Sequence, residues 1–256
     1  MAEGAVHQRF FGEVMLTCSN IVKSYRGTKI IDGVNLALAP GQISVIIGPS
    51  GSGKTTLLKS LSLLDQPDSG TVTIDDWQCE FPIKDPKSFV PPWPKLTVVF
   101  QQLFLWPHLT LLQNITMPVA LRYKDEKKEK IDELIELFDM KNFIYRYPNE
   151  ASLGQRQRAA LARALLLEPK YLLLDEITSS LDVEQVAIIL AHLKDLAKRG
   201  IGILTVTHLL HFARDAADKV IFMDGGQVVE QGGKEVLQNP RQERIKKFLS
   251  VIESAT

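Results

Sequence analysis

Apolar residues are spaced in two ways along this chain, and the spacing divides it into regions. Over residues 14–25 (VMLTCSNIVKSY), and again through Val34, Leu36 and Leu38, they alternate with polar ones, the period of strands that turn one face to a core. A bend is expected near Ser19-Asn20, where the alternation slips, and a turn at residues 26–28. Elsewhere apolar residues stand in short, nearly unbroken runs: residues 43–47 (ISVII), 96–100 (LTVVF), 171–174 (YLLL) and 203–207 (ILTVT). Such runs suit strands buried on both faces of a parallel sheet. Residues 71–74 read as a further strand, and residues 219–223 and 227–230 flank Asp224-Gly225-Gly226, a hairpin signal.

Between these runs the period changes to that of helices. Residues 54–64, 110–123, 126–138, 156–168 and 183–199 are predicted helical; in the third, Ile131, Leu134, Ile135 and Phe138 form one stripe against a charged remainder. The charges at residues 124–130 alternate in sign, as on a solvated face. Residues 77–95 carry Pro82, Pro86, Pro91, Pro92 and Pro94, too many breakers for a regular element, so an irregular loop is expected there, pinned by Trp77, Phe81, Phe89 and Trp93. The tail, residues 234–252, reads as helical and polar enough to lie on the surface. Together these elements predict an α/β fold: a mainly parallel core sheet, an N-terminal antiparallel β subdomain, and a helical subdomain at about residues 102–165. One domain spanning residues 14–252 is expected.

One stretch adds chemistry to that pattern. The run 43–47 leads through Gly48, Pro49, Ser50, Gly51, Ser52 and Gly53 into Lys54, Thr55 and Thr56, at the spacing G-x-x-x-x-G-K-T. Glycines after a buried strand let the backbone curl with its N–H groups inward, and the following helix N-terminus adds positive potential, so the loop is a cradle for phosphates. Lys54 can reach the β- and γ-phosphates, and the Thr55 hydroxyl can ligate Mg²⁺. The sequence therefore predicts a chain that binds a nucleoside triphosphate.

Other polar residues occupy the ends of predicted strands, where doubly wound sheets gather their ligands. Gln101 follows 96–100, Asp175 and Glu176 follow 171–174, and His208 follows 203–207. Two adjacent carboxylates after a buried strand serve no packing purpose; in P-loop enzymes such an aspartate holds Mg²⁺ and a neighbouring carboxylate deprotonates the attacking water. Gln101 by itself fits a surface position as well as a nucleotide contact. Tyr25, at the first turn, fits either a packing role or stacking on a purine. Ser152 is an N-cap that could also receive a phosphate. Phe104, Leu105, Trp106, Pro107 and His108 form an apolar cluster in a predicted loop, which a second protein could bury.

Composition narrows the context. With 256 residues and 45% apolar content the chain can bury a full α/β core, and 30 basic against 30 acidic residues leave no net charge to attract nucleic acid or an anionic bilayer. Cys18 and Cys79 match no metal or redox spacing, which suits a reducing cytosol. No eighteen apolar residues stand together and the N-terminus lacks a basic region followed by a long apolar run, so any membrane role is expected to come through a partner.

The motifs SYRGTKIIDGVNLALAPGQ, GPSGSGKTT, VVFQQ followed by WPHLT, ASLGQRQR with ALARAL, YLLLDE, TSSLD and TVTH stand in an order that resembles the ATP-binding subunits of ABC transporters, over residues 15–238. The resemblance implies two ATPs with Mg²⁺ sandwiched between two such subunits, a homodimer, on the cytoplasmic face of the inner membrane. It implies that Tyr25 stacks on adenine, that residues 48–56 cradle the phosphates, and that Gln101 senses Mg²⁺ and water. By the same resemblance Asp175 supports the metal, Glu176 is the general base, His208 holds the γ-phosphate, and Asp182 belongs to a loop communicating between subunits. Ser152, Gly154 and Gln155 would face the ATP of the opposite subunit. The stretch LWPHLT, residues 114–121 and the lack of an extra C-terminal domain resemble importers of polar amino acids, which implies integral membrane permease subunits and a solute-binding protein as partners. Two departures stand out: Ala151 and Leu153 replace the leucine and first glycine of the family's L-S-G-G-Q loop, and Ile177 replaces a proline. Leu153 is expected to crowd a place where close approach, and a glycine-only backbone, is usual, which leaves room for a clamp that binds ATP with little hydrolysis. An exporter motor and a soluble ATPase acting on DNA or ribosomes are the other readings; the last lacks the second nucleotide domain or coiled coil it would need.

Overall fold

The computed structural model describes residues 15–87, 89–120, 128–178, 181 and 183–253. Its first sheet is antiparallel. β1 (Leu16–Tyr25), β2 (Thr28–Leu38), β4 (Ser69–Ile74) and β5 (Trp77–Phe81) lie in the order β2-β1-β4-β5, while β3 (Ile43–Ile47) opens a second sheet. That second sheet adds β6 (Leu96–Val99), β7 (Tyr171–Asp175), β8 (Gly202–Val206), β9 (Lys219–Asp224) and β10 (Gln227–Gly232), in the order β10-β9-β3-β8-β7-β6. All its neighbours are parallel except the β9-β10 hairpin. The β9-β10 turn is the predicted one: Asp224 pairs with Gln227, and Gly225 and Gly226 have φ of 54° and 80°, conformations glycine adopts without strain.

Every residue of β3, β7 and β8 is buried, and the period of two explains why both faces must be apolar. Ile43, Val45, Ile47, Leu172 and Leu174 face one core, shared with most of the helices; Ile46, Tyr171, Leu173, Leu204 and Val206 face another, closed by the antiparallel sheet and α1 (Lys54–Leu61). The inserted helices are α2 (Leu111–Ala120), α3 (Lys128–Leu137) and α4 (Leu153–Leu165), followed in the chain by α5 (Val183–Lys198). The expected bend in β1 is present: Asn20 has φ of 54° and the pairing slips between Cys18 and Ile21.

Three elements differ from the sequence reading. Residues 77–81 are an edge strand, not loop: the prolines begin only at Pro82, and a two-residue turn at Asp75-Asp76 pairs Trp77 with Ile74. A short helix, α6 (Leu210–Ala216), was not predicted; seven residues are too few to show a period, and burial of Leu210, Phe212, Ala213 and Ala216 holds it. The tail lies on the surface as expected but as two helices, α7 (Glu235–Gln238) and α8 (Glu243–Glu253), the second held by buried Ile245 and Leu249 and by Phe248, whose ring centre is 5.2 Å from that of Phe222. Among the described residues no helix is long and apolar enough to cross a membrane.

Candidate nucleotide-binding site

The carboxyl ends of the parallel strands meet along one edge. Ile47 lies beside Phe222, Ile46 beside Val206, Val206 beside Asp175, and Leu174 beside Val99, so the residues that follow β3, β6, β7 and β8 emerge together. The turn from β3 into α1 is built against backbone. Gly48 has φ of 150° and a Cβ there would stand 2.0 Å from the Met223 carbonyl oxygen; at Gly53, φ 97°, it would stand 2.7 Å from that of Ile30. No side chain fits at either place. Gly53 is also the N-cap of α1 and offers no side-chain acceptor, which leaves the first N–H groups of the helix for an external anion.

Lys54 is only 8% exposed, and its ammonium donates to the carbonyls of Gly48 at 2.9 Å and Pro49 at 2.8 Å. Burial pushes its pKa down, against the opposing pull of the Glu176 and Asp175 charges. Ser52 and Gly53 are buried with it, whereas Ser50, Gly51 and Thr55 are exposed and Pro49 and Thr56 are half-buried at the mouth.

The Thr55 hydroxyl donates to Asp175 Oδ1 at 3.1 Å. Asp175 is 4% exposed; burial pushes its carboxyl up, the neighbouring Glu176 charge adds to this, and the Thr55 hydrogen bond, Lys59 and Lys54 oppose it. A buried carboxylate beside a hydroxyl is a donor set suited to a hard divalent cation that completes its shell with phosphate and water oxygens. Among the described residues no cluster of three or more histidine, cysteine or acidic side chains could hold a metal ion by itself.

Glu176 has a left-handed backbone, φ 49°, locked by its N–H donating to the Val206 carbonyl at 3.0 Å. Strain of this kind in a non-glycine residue persists where its surroundings hold it. Its Oε2 lies 3.8 Å from His208 Nδ1, on a histidine half open to solvent. Lys54, Thr55, Asp175, Glu176 and His208 thus share one cleft, and Gln101 is exposed just past β6 on the same edge.

Tyr25 ends β1 with its ring half exposed. Its hydroxyl donates to Asp65 and lies by the Thr56 hydroxyl; burial first, then the Asp65 carboxylate, push its pKa to about 12. Lys23 is paired with Asp65 at 2.5 Å and stands 5.4 Å from the tyrosine ring centre. Nothing in the sequence pointed to Lys23 or Asp65, because their partners lie about forty residues away.

Ser152, Gly154 and Gln155 lie apart, at the start of α4. Ser152 Oγ accepts from the Gln155 N–H at 3.3 Å and Gln155 Oε1 accepts from the Ser152 N–H at 3.0 Å, a capping box. A Cβ on Gly154 would meet the Gln185 side-chain oxygen of α5 at 2.5 Å. Leu153 is the first residue of α4 and is not among the residues with positive φ, so its backbone does not require glycine, contrary to expectation. Asp182 lies outside the described residues.

Comparison with known proteins adds the following. Residues 31–179 match the family model described as ABC transporter. The chain is 41% identical to the L-cystine transport system ATP-binding protein TcyN of Escherichia coli over 90% of this chain and 95% of that one. It is 38% identical to the glutamine transport ATP-binding protein GlnQ of Escherichia coli over 92% and 98%. Among solved structures, a dimeric post-hydrolysis state of the ATP-binding cassette MJ0796 bound to ADP and Pi superposes with a TM-score of 0.75 at 31% identity, over 86% of this chain and 98% of that one.

Proposed function

The chain belongs to the ABC transporter family, and from that premise we propose that it hydrolyses ATP to drive import of amino acids through separate membrane subunits. Similarity to cystine and glutamine transport subunits over nearly the full length supports the substrate class. The observation that carries the catalytic assignment is the shared cleft: Lys54, the Thr55–Asp175 pair and the Glu176–His208 pair meet where the glycine turn leaves helix N–H groups free for an anion.

In this reading Tyr25 stacks on adenine, residues 48–56 cradle the triphosphate, and Lys54 exchanges the loop carbonyls for β- and γ-phosphate oxygens. Thr55 and Asp175 would hold Mg²⁺, with Gln101 close by, and when bound it would supply positive charge against the phosphates. Glu176 takes the proton of the attacking water, and His208, in contact with it, binds the γ-phosphate. A second copy supplies Ser152, Gly154 and Gln155 across the interface, and Asp182 belongs to a loop that communicates between the subunits. Membrane permease subunits dock near residues 101–108 and hold the pair at the cytoplasmic face of the cell membrane, and a solute-binding protein delivers cargo. The exposed Phe104 and Trp106 support that docking place.

The test is Glu176→Gln. A positioned base contributes about 10²- to 10⁴-fold in rate, so this variant is expected to bind ATP, form an ATP-dependent dimer and lose turnover by that factor. Undiminished steady-state ATPase activity would remove Glu176 from the role.

A further inference from the structure

The exposed segment after Gln101 has no regular structure, yet it is held tightly. Arg163, in the last turn of α4, forks onto two successive carbonyls, donating from Nη2 to Leu103 at 2.6 Å and from Nη1 to Phe104 at 2.8 Å. Its guanidinium also lies 5.6 Å from the Trp106 ring centre, within range for a cation–π contact. From the other side Asn114 of α2, fully buried, accepts from the Trp106 N–H at 2.7 Å and donates to the carbonyls of Trp106, Leu109 and Thr110 at 3.0 to 3.1 Å. Phe104 is left 60% exposed by these holds, with a left-handed φ of 48°.

Arg163 is a costly choice for a merely structural position. Among the described residues it has no carboxylate partner, and burial alone pulls its pKa down. An apolar residue would fill the volume without desolvating a charge. What only a planar fork supplies is simultaneous grip on two carbonyls and an indole face. The same helix starts at Ser152, about 16 Å away at 1.5 Å rise per residue.

We propose that Arg163 is a positioning residue that makes α4 and the Leu103–Trp106 segment move as one body, so that motion of the Ser152 end reaches the surface exposed at Phe104 and Trp106. This rests on the reading above, in which Ser152 engages the second copy's nucleotide and residues 101–108 meet the permease.

The test uses the complete transporter in vesicles, with Arg163→Met, which keeps length and loses the donors, and Arg163→Lys, which keeps charge and loses the fork. Both variants are expected to retain nucleotide affinity, and in a Glu176→Gln background ATP-dependent dimerisation, while solute transported per ATP hydrolysed falls by about tenfold, within the range by which coupling residues act. A transport-to-hydrolysis ratio unchanged in either variant would overturn the proposal. Failure of Glu176→Gln with Arg163 intact to dimerise would instead overturn the underlying reading. Should Arg163→Met not fold, Arg163→Lys decides, with a second readout: in a chain whose Trp77 and Trp93 are replaced by Phe, emission of Trp106 is expected to respond to ATP with Arg163 and not with Arg163→Lys. An equal response in both would show that the fork transmits nothing.

Discussion

The cleft at the strand ends and the start of α4 are assigned to the same nucleotide chemistry but are built by opposite means. The cleft is shaped by backbone: the Gly48 turn abuts the Met223 carbonyl, Gly53 abuts Ile30, and Glu176 is pinned to Val206. Lys54 and Asp175 are buried in it and lean on one another. The start of α4 is shaped by side chains on the surface, with Ser152 and Gln155 capping each other. A site enclosed by backbone admits almost no substitution, whereas a surface cap tolerates change as long as the helix begins at the same place. Leu153 illustrates this: it occupies an ordinary first helical position, so a departure that looks damaging as a motif is unremarkable as a conformation.

The largest effect that would sharpen this contrast is expected from Gly48→Ala. A methyl group 2.0 Å from a backbone oxygen forces the loop or β9 to shift, so nucleotide binding should be lost and the melting temperature lowered. Isothermal titration and a thermal melt check both, and a variant that binds ATP normally would show that the turn is not enclosed as described.

Asp175→Asn comes next. Because the folded state raises this carboxyl, its contribution favours the native state below the ordinary carboxylate pKa and is lost as pH rises through the raised value, so at neutral pH the ionised group opposes folding of the nucleotide-free chain. The variant is therefore expected to melt higher than the parent at neutral pH, with the difference vanishing in acid, while Mg²⁺-dependent hydrolysis drops by about a hundredfold or more. In the parent, Mg·ATP affinity should fall as pH is lowered through that raised pKa, and the asparagine variant should not show this fall.

Leu153→Gly tests the other side and should do least. A glycine at an ordinary helical position costs about 0.5–1 kcal/mol of helix stability, and turnover of the assembled transporter is expected to change less than about threefold. A rise of tenfold or more in ATPase activity would mean that the leucine side chain itself obstructs the second nucleotide.

How far the chain could be read in advance follows from the range of the interactions concerned. The buried strands, the phosphate loop and the polar residues at strand ends depend on patterns within a few residues, and each was legible. Strand β5 was hidden by a proline run that begins one residue beyond it, and α6 by its shortness. The structural roles of Asp65, Asn114 and Arg163 were not legible. The partners of Asp65 and Arg163 lie forty to sixty residues off, and although those of Asn114 are near in sequence, only a folded loop turns their carbonyls toward it.

The period of each main element, the turn that glycines alone can make, and the chemical types placed at the sheet's edge follow directly from the order of residues, because each is a local property of neighbours. Folding settles which of those groups come together, how burial shifts Lys54 and Asp175 in opposite directions, and what holds the segment beyond Gln101. Those depend on strand order and on the dielectric around each charge, and both come into being only when distant parts of the chain pack together.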